Sequence, residues 1–307
     1  NTYQQVWNLV RQADHSAVGV ILDSFHTLSL KGDPAAIADI PGNKIFFVQM
    51  ADAPLLAMDV LEWSRHFRCF PGQGEFDLPG FLAPIIRTGY SGPLSLEIFN
   101  DGFRAAPPRA NAVDGLRSLL YLEEKTRQLL AADVQPANLD LLFDTPPASR
   151  YHGVEFLEFA VDEAAGAKLS GWLERLGFAK AGEHRSKDVS LLRQGDINIV
   201  LNAEPYSFAH GFFEAHGPSL CATALKVKDG ATALQRAIDY RGHPYRGLVG
   251  PNEREVPAMR APDGSLIYLV DQAEAGQTIY DSDFKLDPAA VPTGSLQRID
   301  HLSLIHI

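Results

Sequence analysis

The sequence predicts an α/β segment, organised like half of an eight-stranded parallel barrel, followed by an α+β segment in which one unit occurs twice. Three short apolar runs near the N-terminus, separated by helix-like stretches, are typical of buried parallel strands. Each run leads into a polar residue, and parallel barrels carry their chemistry at such strand ends. In the second segment, a strand, a helix and three strands follow one another and then recur. The proline-rich residues 131–150 lie between the segments and are predicted to be a linker.

Composition limits the classes of protein that the chain could represent. Its 307 residues are enough for two domains with their own cores, and 46% hydrophobic and 21% charged residues are typical of a folded protein. A net charge of −11, without a run of Lys and Arg, disfavours nucleic acid or an anionic membrane as partner. No apolar run reaches the ~18 residues of a membrane span. The two distant cysteines, Cys69 and Cys221, indicate a reducing cytoplasm.

The first segment, residues 1–130, alternates strands with helices. Four strands are predicted, at residues 18–22, 45–48, 66–70 and 94–96. Helical stretches are predicted at residues 2–14, 34–40, 79–88 and 111–130. Four strands make about half of an eight-stranded barrel, corresponding to its strands 5–8, so the other half is expected upstream.

Three oxygen-bearing side chains follow these strands. Asp23, Gln49 and Glu97 each end an apolar run, and carboxylate and amide oxygens suit Mg²⁺, Mn²⁺ or a similar hard cation. Taken singly, an Asp at a strand end is more often a helix cap, and a Gln there is usually bonded locally. His26, three residues after Asp23, is more often structural than catalytic. Arg68, inside an apolar run, must pair with an anion or reach the surface.

These residues occur in motifs that resemble a known family. The motifs are Asp23-Ser-Phe-His26, Gln49-Met-Ala-Asp52, residues 64–74 and Ser95-Leu-Glu97. They are similar to the sugar phosphate isomerase/epimerase-like (xylose isomerase-like) TIM barrels. Within these, the chain resembles bacterial two-domain 3-dehydroshikimate dehydratases, in which a 4-hydroxyphenylpyruvate dioxygenase-like domain follows the barrel. The resemblance covers essentially the whole chain, and residues 68–75 are its most specific part.

The resemblance implies a set of roles for these residues. Asp23, Gln49 and Glu97 would be three of four ligands to one divalent metal (Mg, Mn or Co), the fourth being a Glu on an earlier strand that this chain lacks. His26 falls at the position of an acid/base residue. Ser64 and Arg68 fall where substrate polar groups are held, and a guanidinium suits a carboxylate. The implied reaction is dehydration of 3-dehydroshikimate to protocatechuate, with a metal stabilising the developing enolate and a His moving the proton.

The second segment, residues 151–280, repeats a βαβββ pattern. The first copy is predicted as a strand at 154–161, a helix at 163–176 and strands at 179–184, 189–193 and 197–202. The second is predicted as a strand at 222–228, a helix at 230–240 and strands near 245, at 256–260 and at 266–270. A duplicated βαβββ unit resembles the vicinal oxygen chelate fold.

The same superfamily indicates where metal ligands would lie. A metal-binding unit carries a His five residues before the Val that closes its first strand, and these positions are Phe156 and Ala222 here. Both units are therefore predicted to bind no metal. His301, in residues 297–307, resembles the first Fe(II) ligand of the dioxygenase's catalytic half, so these residues are interpreted as the truncated start of a further unit. The remaining histidines of the segment are predicted loop residues and non-ligands: His152, His210 and His216.

Three alternatives stay open. The barrel could serve a sugar isomerase or epimerase, although a neutral sugar has less need of Arg68 than a carboxylate substrate has. The second segment could belong to a 4-hydroxyphenylpyruvate dioxygenase, or could be a binding or oligomerisation module that makes a homo-oligomer. The start at Asn1 and the abrupt ending favour an internal fragment, with residues 302–307 suspected not to be native. Such a fragment is expected to be inactive alone.

Overall fold

The chain folds into two units, Asn1–Thr145 and Pro146–Ile307. The computed structural model describes residues 2–132, 138–250, 253–271 and 278–303. The boundary lies within the predicted linker, residues 131–150, of which residues 133–137 are outside the described part. Among the described residues, none of the helices combines the length and the apolar character that crossing a bilayer requires.

Unit 1 contains a parallel sheet covered by helices. Within residues 2–132, the sheet has three strands in the order β1 (Val20–Asp23), β2 (Ile45–Met50), β3 (Leu94–Leu96). The helices are α1 (Tyr3–Ala13), α2 (Ser24–Leu28), α3 (Val60–His66), α4 (Leu78–Arg87), α5 (Asp101–Ala105) and α6 (Pro108–Ala131), and Ala35–Asp39 and Gly42–Lys44 form short 3₁₀ turns. Apolar residues of the strands pack with α4 and α6 in one buried core.

The register of the sheet brings the strand ends to one edge. Asp23 is paired with Gln49, and Gln49 is paired with Ser95 on β3. The Glu97 amide donates to the Met50 carbonyl at 3.1 Å, just after β3 ends. Because all three strands are parallel, their polar C-terminal residues are neighbours, as predicted.

The strand predicted at residues 66–70 was wrong. Helix α3 begins after the Asp59 cap, whose side chain accepts from Leu61 N, and continues to His66. Only a short irregular segment remains before the turn that starts at Pro71. It pairs with its neighbours through single bridges, from Cys69 to Asp52 and from Phe67 to Asn100. Arg68 therefore lies in an irregular segment.

Unit 2 contains a mixed sheet of nine strands within its described residues. Its order is β12-β5-β6-β7-β4-β8-β11-β10-β9. The strands are β4 (Tyr151–Ala160), β5 (Ala179–His184), β6 (Val189–Gln194), β7 (Ile197–Asn202), β8 (Ser219–Val227), β9 (His243–Tyr245), β10 (Ala258–Arg260), β11 (Leu266–Asp271) and β12 (Phe284–Leu286). The helices are α7 (Glu163–Arg175), α8 (Phe208–His216), α9 (Gly230–Asp239) and α10 (Ile279–Asp283).

The pairing of these strands confirms the predicted duplication. In the first copy, β4 is parallel to β7, and in the second copy β8 is parallel to β11. The two copies meet where β4 and β8 pair antiparallel. One face of the first copy packs against α7, through side chains such as Leu157, Ile199 and Leu169.

Several details of unit 2 differ from the prediction. His210 and His216 were predicted in a loop but lie in α8, which Ser207 caps by accepting from His210 N at 3.1 Å. His152 was predicted in a loop and lies in β4, where it is exposed. The structure assigns no strand to residues 297–303, and residues 304–307 lie outside the described part. Helix α10 and strand β12 were not predicted.

Candidate active site

Asp23 has two roles, one for each carboxylate oxygen. Its Oδ1 accepts from the His26 amide at 3.2 Å and so caps α2. Its Oδ2 lies 3.2 Å from Arg68 Nη1 and 3.6 Å from His26 Nε2. The side chain is buried, with 8% of its surface exposed. Asp23 is therefore both the helix cap and a member of the predicted polar group.

Gln49 and Glu97 are bonded to each other across the strand ends. Gln49 Nε2 donates to Glu97 Oε1 at 2.9 Å. Because Glu97 directly follows β3, its carboxylate lies beside Gln49, the penultimate residue of β2. The three predicted ligands thus form a connected row, with Arg68 joining Glu97 to Asp23.

Arg68 is the buried centre of this network. Its Nη1 donates to Glu97 Oε2 at 2.8 Å, and its Nε donates to the Ser64 carbonyl at 3.0 Å. The guanidinium lies over the Phe25 ring at 4.6 Å and near the Phe99 ring at 5.3 Å, within cation–π distance. Its backbone is held by Asn100, whose Nδ2 donates to the Arg68 carbonyl at 3.0 Å. Only 1% of the residue is exposed, so the cation needs these partners.

Ser64 and His26 are the two further predicted residues that the fold brings to Arg68. Ser64, on α3, accepts from Arg68 Nη2 through Oγ at 2.7 Å. The same Nη2 lies 3.4 Å from His26 Nε2. His26 has 63% of its side chain exposed, in contrast to the buried Arg68. All six residues predicted for the barrel therefore converge.

The pKa of Glu97 is raised above its ordinary value of 4.5. Burial is the main cause, and the neighbouring Asp23 carboxylate adds to it, whereas Arg68 acts in the opposite direction. Arg68 is the cation that these two carboxylates share. Unit 1 therefore offers two carboxylates and one amide, the oxygen donors that hard divalent cations prefer.

This donor set fits part of a metal site. Among the described residues, no group of three or more His, Cys, Asp and Glu side chains is arranged to hold a metal ion. The third oxygen donor of the row is the amide of Gln49. Glutamine is not one of these four residue types. A complete site would need at least one more donor, as a four-ligand set implies.

A cavity of about 510 Å³ opens beside the row. His26, Ser64, Arg68 and Glu97 line it. It is also lined by residues that the sequence analysis did not select, namely Arg65, His66, Phe99 and Arg104. Arg65 and His66 lie at the end of α3, close to Arg68 in the sequence. This closeness was the only sequence signal that could have identified them as cavity residues. The cavity places His26 where it can contact a bound molecule.

The positions predicted to be metal-free in unit 2 carry no ligands. Phe156 packs against Tyr268, with ring centroids 5.7 Å apart, and Ala222 is buried. His301 is exposed and bonded through Nδ1 to Asp300 Oδ2 at 2.9 Å. Its predicted role as an iron ligand stays a prediction.

Two family descriptions match the chain, one for each unit. "Xylose isomerase-like TIM barrel" matches residues 1–122. "Hydroxyphenylpyruvate dioxygenase, HPPD, N-terminal" matches residues 143–285. These matches confirm the predicted TIM-barrel fold class of the first segment and the predicted dioxygenase-like domain of the second.

Curated relatives resemble the chain over nearly its whole length. A 3-dehydroshikimate dehydratase of Pseudomonas putida is 77% identical over 99% of the chain, and one of Pseudomonas aeruginosa is 71% identical over 99%. The chain spans 48% of each relative. A solved xylose isomerase-like TIM barrel/4-hydroxyphenylpyruvate dioxygenase fusion protein is 76% identical, with a TM-score of 0.86 over 98% of this chain and 48% of that one.

Proposed function

Because the chain belongs to the family of two-domain 3-dehydroshikimate dehydratases, we propose that unit 1 supplies half of a site that dehydrates 3-dehydroshikimate to protocatechuate. The observation that supports this most directly is the row of Asp23, Gln49 and Glu97 beside Arg68 and His26. The row lies at the C-terminal edge of parallel strands, where barrels carry their chemistry. Since the chain spans about half the length of its relatives, the activity is proposed for a protein that contains the whole barrel.

Asp23, Gln49 and Glu97 would hold a divalent cation, Mg, Mn or Co, together with a fourth ligand from outside this chain. When bound, such a cation supplies a Lewis acid for the negative charge that develops on the substrate's ketone oxygen. Arg68 keeps the two carboxylates of the row together through Nη1.

His26 is the proposed proton carrier. Its ring lines the cavity and is mostly exposed, and its Nε2 is the atom nearest the row. The imidazole would take the proton α to the ketone and return it to the departing hydroxyl, so that water leaves and the ring becomes aromatic. Asp23, with Oδ2 3.6 Å from Nε2, would stabilise the imidazolium between the two steps.

Arg68 and Ser64 are proposed to recognise the substrate's carboxylate and hydroxyl groups. The guanidinium is held in one orientation by Phe25 and Ser64, so little ordering is left for binding. Because Nη1 is already bonded to Asp23 and Glu97, the proposed donor to the substrate is Nη2. A small carboxylic acid is therefore the proposed partner. The cytoplasmic location suggested by the cysteines remains a prediction, although both are free and buried.

The proposal is tested in a chimera, the P. putida relative carrying this chain in place of the matched region. The chimera is stripped of metal and resupplied with Mg²⁺, Mn²⁺ or Co²⁺, and protocatechuate formation from 3-dehydroshikimate is followed. We expect product only with metal, and a large loss of activity and of bound metal in Glu97→Gln. A metal-loaded chimera that forms no protocatechuate would overturn the proposal.

Glu123→Gln is the matched control. Glu123 lies on α6, where its carboxylate accepts from the Phe143 amide at 2.9 Å, and it does not line the cavity. Glu123→Gln should leave the metal dependence of protocatechuate formation unchanged. The isolated 307-residue chain, assayed in parallel, is expected to form no product.

The names of the relatives do not favour the sugar isomerase or epimerase alternative. The dioxygenase alternative stays a prediction, because the matched family description covers the N-terminal part of that enzyme. The Fe(II) site expected to begin at His301 also stays a prediction. The oligomerisation-module alternative also stays open, and with it a homo-oligomer.

A further inference from the structure

Unit 2 contains a cavity of about 540 Å³, within the size range of small-molecule sites. It lies against the face of the sheet opposite α7, between β4, β7 and β11 on one side and α9 and α10 on the other. This unit was predicted to bind no metal, because Phe156 and Ala222 occupy the positions of the superfamily's metal ligands. The cavity instead has features that suit an organic molecule, and these features do not depend on unit 1.

Two polar side chains face the cavity from adjacent strands. Glu158 on β4 and Asn202 on β7 are bonded, with Asn202 Nδ2 donating to Glu158 Oε1 at 2.7 Å. Glu158 is 8% exposed, and burial raises the pKa of its carboxyl above 4.5. A buried carboxyl needs hydrogen-bond partners, and Asn202 supplies one to Oε1. The pair is therefore suited to a hydroxyl group.

Aromatic and aliphatic side chains surround this pair. The Phe156 and Tyr268 rings are 5.7 Å apart, and Tyr280 lies 6.1 Å from Phe284 in ring-centroid distance. All four line the cavity. Val200, on β7, lines it as well. Such walls favour a flat ring, which gains offset or edge-to-face contacts beyond simple burial.

Two charged residues of the wall, Glu253 and Arg254, already have partners. Glu253 accepts from Lys187 Nζ at 2.6 Å, from Ser186 Oγ at 2.9 Å and from the Gly250 amide at 2.7 Å. Arg254, which also lines the cavity, is bonded to Asp271. A charged ligand group placed beside Glu253 or Arg254 would have to displace one of these partners, at a high desolvation cost. The ligand part that contacts these two residues is therefore expected to be uncharged.

We propose that the unit 2 cavity binds a small hydroxylated aromatic molecule, with its hydroxyl at Glu158 and Asn202 and its ring against Phe156 and Tyr268. The polar pair selects for the hydroxyl, because a ring without it displaces solvent from Glu158 and Asn202 and makes no hydrogen bond to them. The aromatic walls select for a flat ring over an aliphatic one. No chemical step is implied by this binding.

The test is a titration of the full chain with phenol, catechol, toluene and cyclohexanol, followed by ligand-observed NMR. We expect saturable binding of phenol and catechol, and affinity about tenfold or more lower for toluene, which lacks the hydroxyl. Glu158→Leu should reduce phenol affinity by a similar factor. The control Glu155→Leu, on the same strand but with its carboxylate paired to Lys226 at 3.5 Å, should leave it unchanged.

A second variant and a second measurement protect the test against misfolding. Val200→Phe introduces a ring into the cavity and should abolish phenol binding without removing a polar group. A crystal structure of the wild-type phenol complex is independent of both variants. Phenol found in the cavity supports the proposal, whereas phenol bound elsewhere, absent, or bound equally well to Glu158→Leu and Val200→Phe overturns it.

Discussion

Arg68 Nη1 lies 2.8 Å from Glu97 Oε2, so a fully buried cation is bonded to one of the predicted metal ligands. The same nitrogen reaches Asp23, and the guanidinium thus offsets the repulsion between two carboxylates. This arrangement stabilises unit 1 and also orients the row, so the two effects must be separated by experiment.

Removing the buried cation should destabilise unit 1. Arg68→Met leaves Asp23 and Glu97 close together without a counter-charge, and we expect a loss of about 3–5 kcal/mol in the free energy of unfolding. The measurement is urea denaturation of the full chain. Arg104→Met is the control, because Arg104 is 70% exposed with its Asp101 partner 3.9 Å away, and should change stability by less than about 0.5 kcal/mol. Equal losses in the two variants would show that Arg68 is not the organising cation.

Replacing His26 should separate activity from stability. His26→Gln in the chimera should lower kcat by roughly 10²–10⁴-fold, the usual contribution of an acid–base residue, with bound metal retained. Because the ring is 63% exposed, stability should change by no more than about 0.5 kcal/mol. Metal analysis and steady-state kinetics give both quantities. His15→Gln is the control, since His15 is an exposed histidine of unit 1, and activity retained in His26→Gln would exclude the proposed role.

Glu158 should make the stability of unit 2 depend on pH. Its folded-state pKa is raised by burial, so its favourable contribution is complete below 4.5 and is lost as the pH rises through the folded-state pKa. Glu158→Gln should therefore become more stable relative to wild type as the pH rises from 4.5. Hydrogen–deuterium exchange of β4 and β7 in urea at several pH values measures this difference. A difference that does not change with pH would contradict the prediction.

Glu253 should act in the opposite direction. Burial alone would raise its pKa, but the bonds from Lys187, Gly250 and Ser186 lower it from 4.5 to about 2. Its contribution is present above 4.5 and is lost as the pH falls from 4.5 towards about 2. Glu253→Gln should thus be less stable than wild type at pH 7, with a difference that shrinks on acidification.

The matched variant for this test is Glu183→Gln, whose carboxylate is half exposed and pairs with Lys180 on the same strand. It should have little effect at pH 7. Urea unfolding of wild type and both variants between pH 3 and pH 7 distinguishes the two carboxylates. A Glu253→Gln variant as stable as wild type at pH 7 would contradict the assigned bonds.

Replacing two glycines, one inside α7 and one just after it, with alanine should change the stability of unit 2 in opposite directions. Gly177, just after the helix, has φ +92°, and a Cβ there would lie 2.3 Å from Gly294 N. Gly177→Ala should cost about 1–3 kcal/mol or more. Gly171, inside the helix, has open space around a Cβ, so Gly171→Ala should stabilise by roughly 0.5–1 kcal/mol. Thermal unfolding of both variants measures the contrast.

The sequence was informative where hydrophobic period and capping agree. Strand Ala179–His184 and helix Glu163–Arg175 lie where they were predicted, and Gly177 follows the helix as expected. Residues 66–70 were misassigned because an apolar run does not reveal that the preceding helix extends to His66. Helix α8 was missed because Gly211 and two histidines weaken its period, although its Ser207 cap was visible in the sequence.

The candidate sites were predictable to different degrees for the same kind of reason. Asp23, Gln49 and Glu97 each follow a recognisable strand, and parallel pairing brings such residues together. Glu158 and Asn202 meet only through the pairing of Ala160 with Asn202 between β4 and β7, which the sequence does not specify. The available signal was Glu158, which alternates with the apolar Phe156 and Ala160 along the strand.

The irregular segment around Arg68 is attached to its neighbours differently from the three strands. The predicted ligands lie at the ends of paired strands. A backbone change at these positions would disturb the strand pairing as well as the ligand side chain. Residues 67–70 are attached by two single bridges, and within this segment Arg68 lines the cavity, so a substitution at Arg68 changes the cavity wall without removing a pair of the sheet. A substitution at Arg68 thus reshapes the cavity and releases the two carboxylates of the row, while the three strands keep their register.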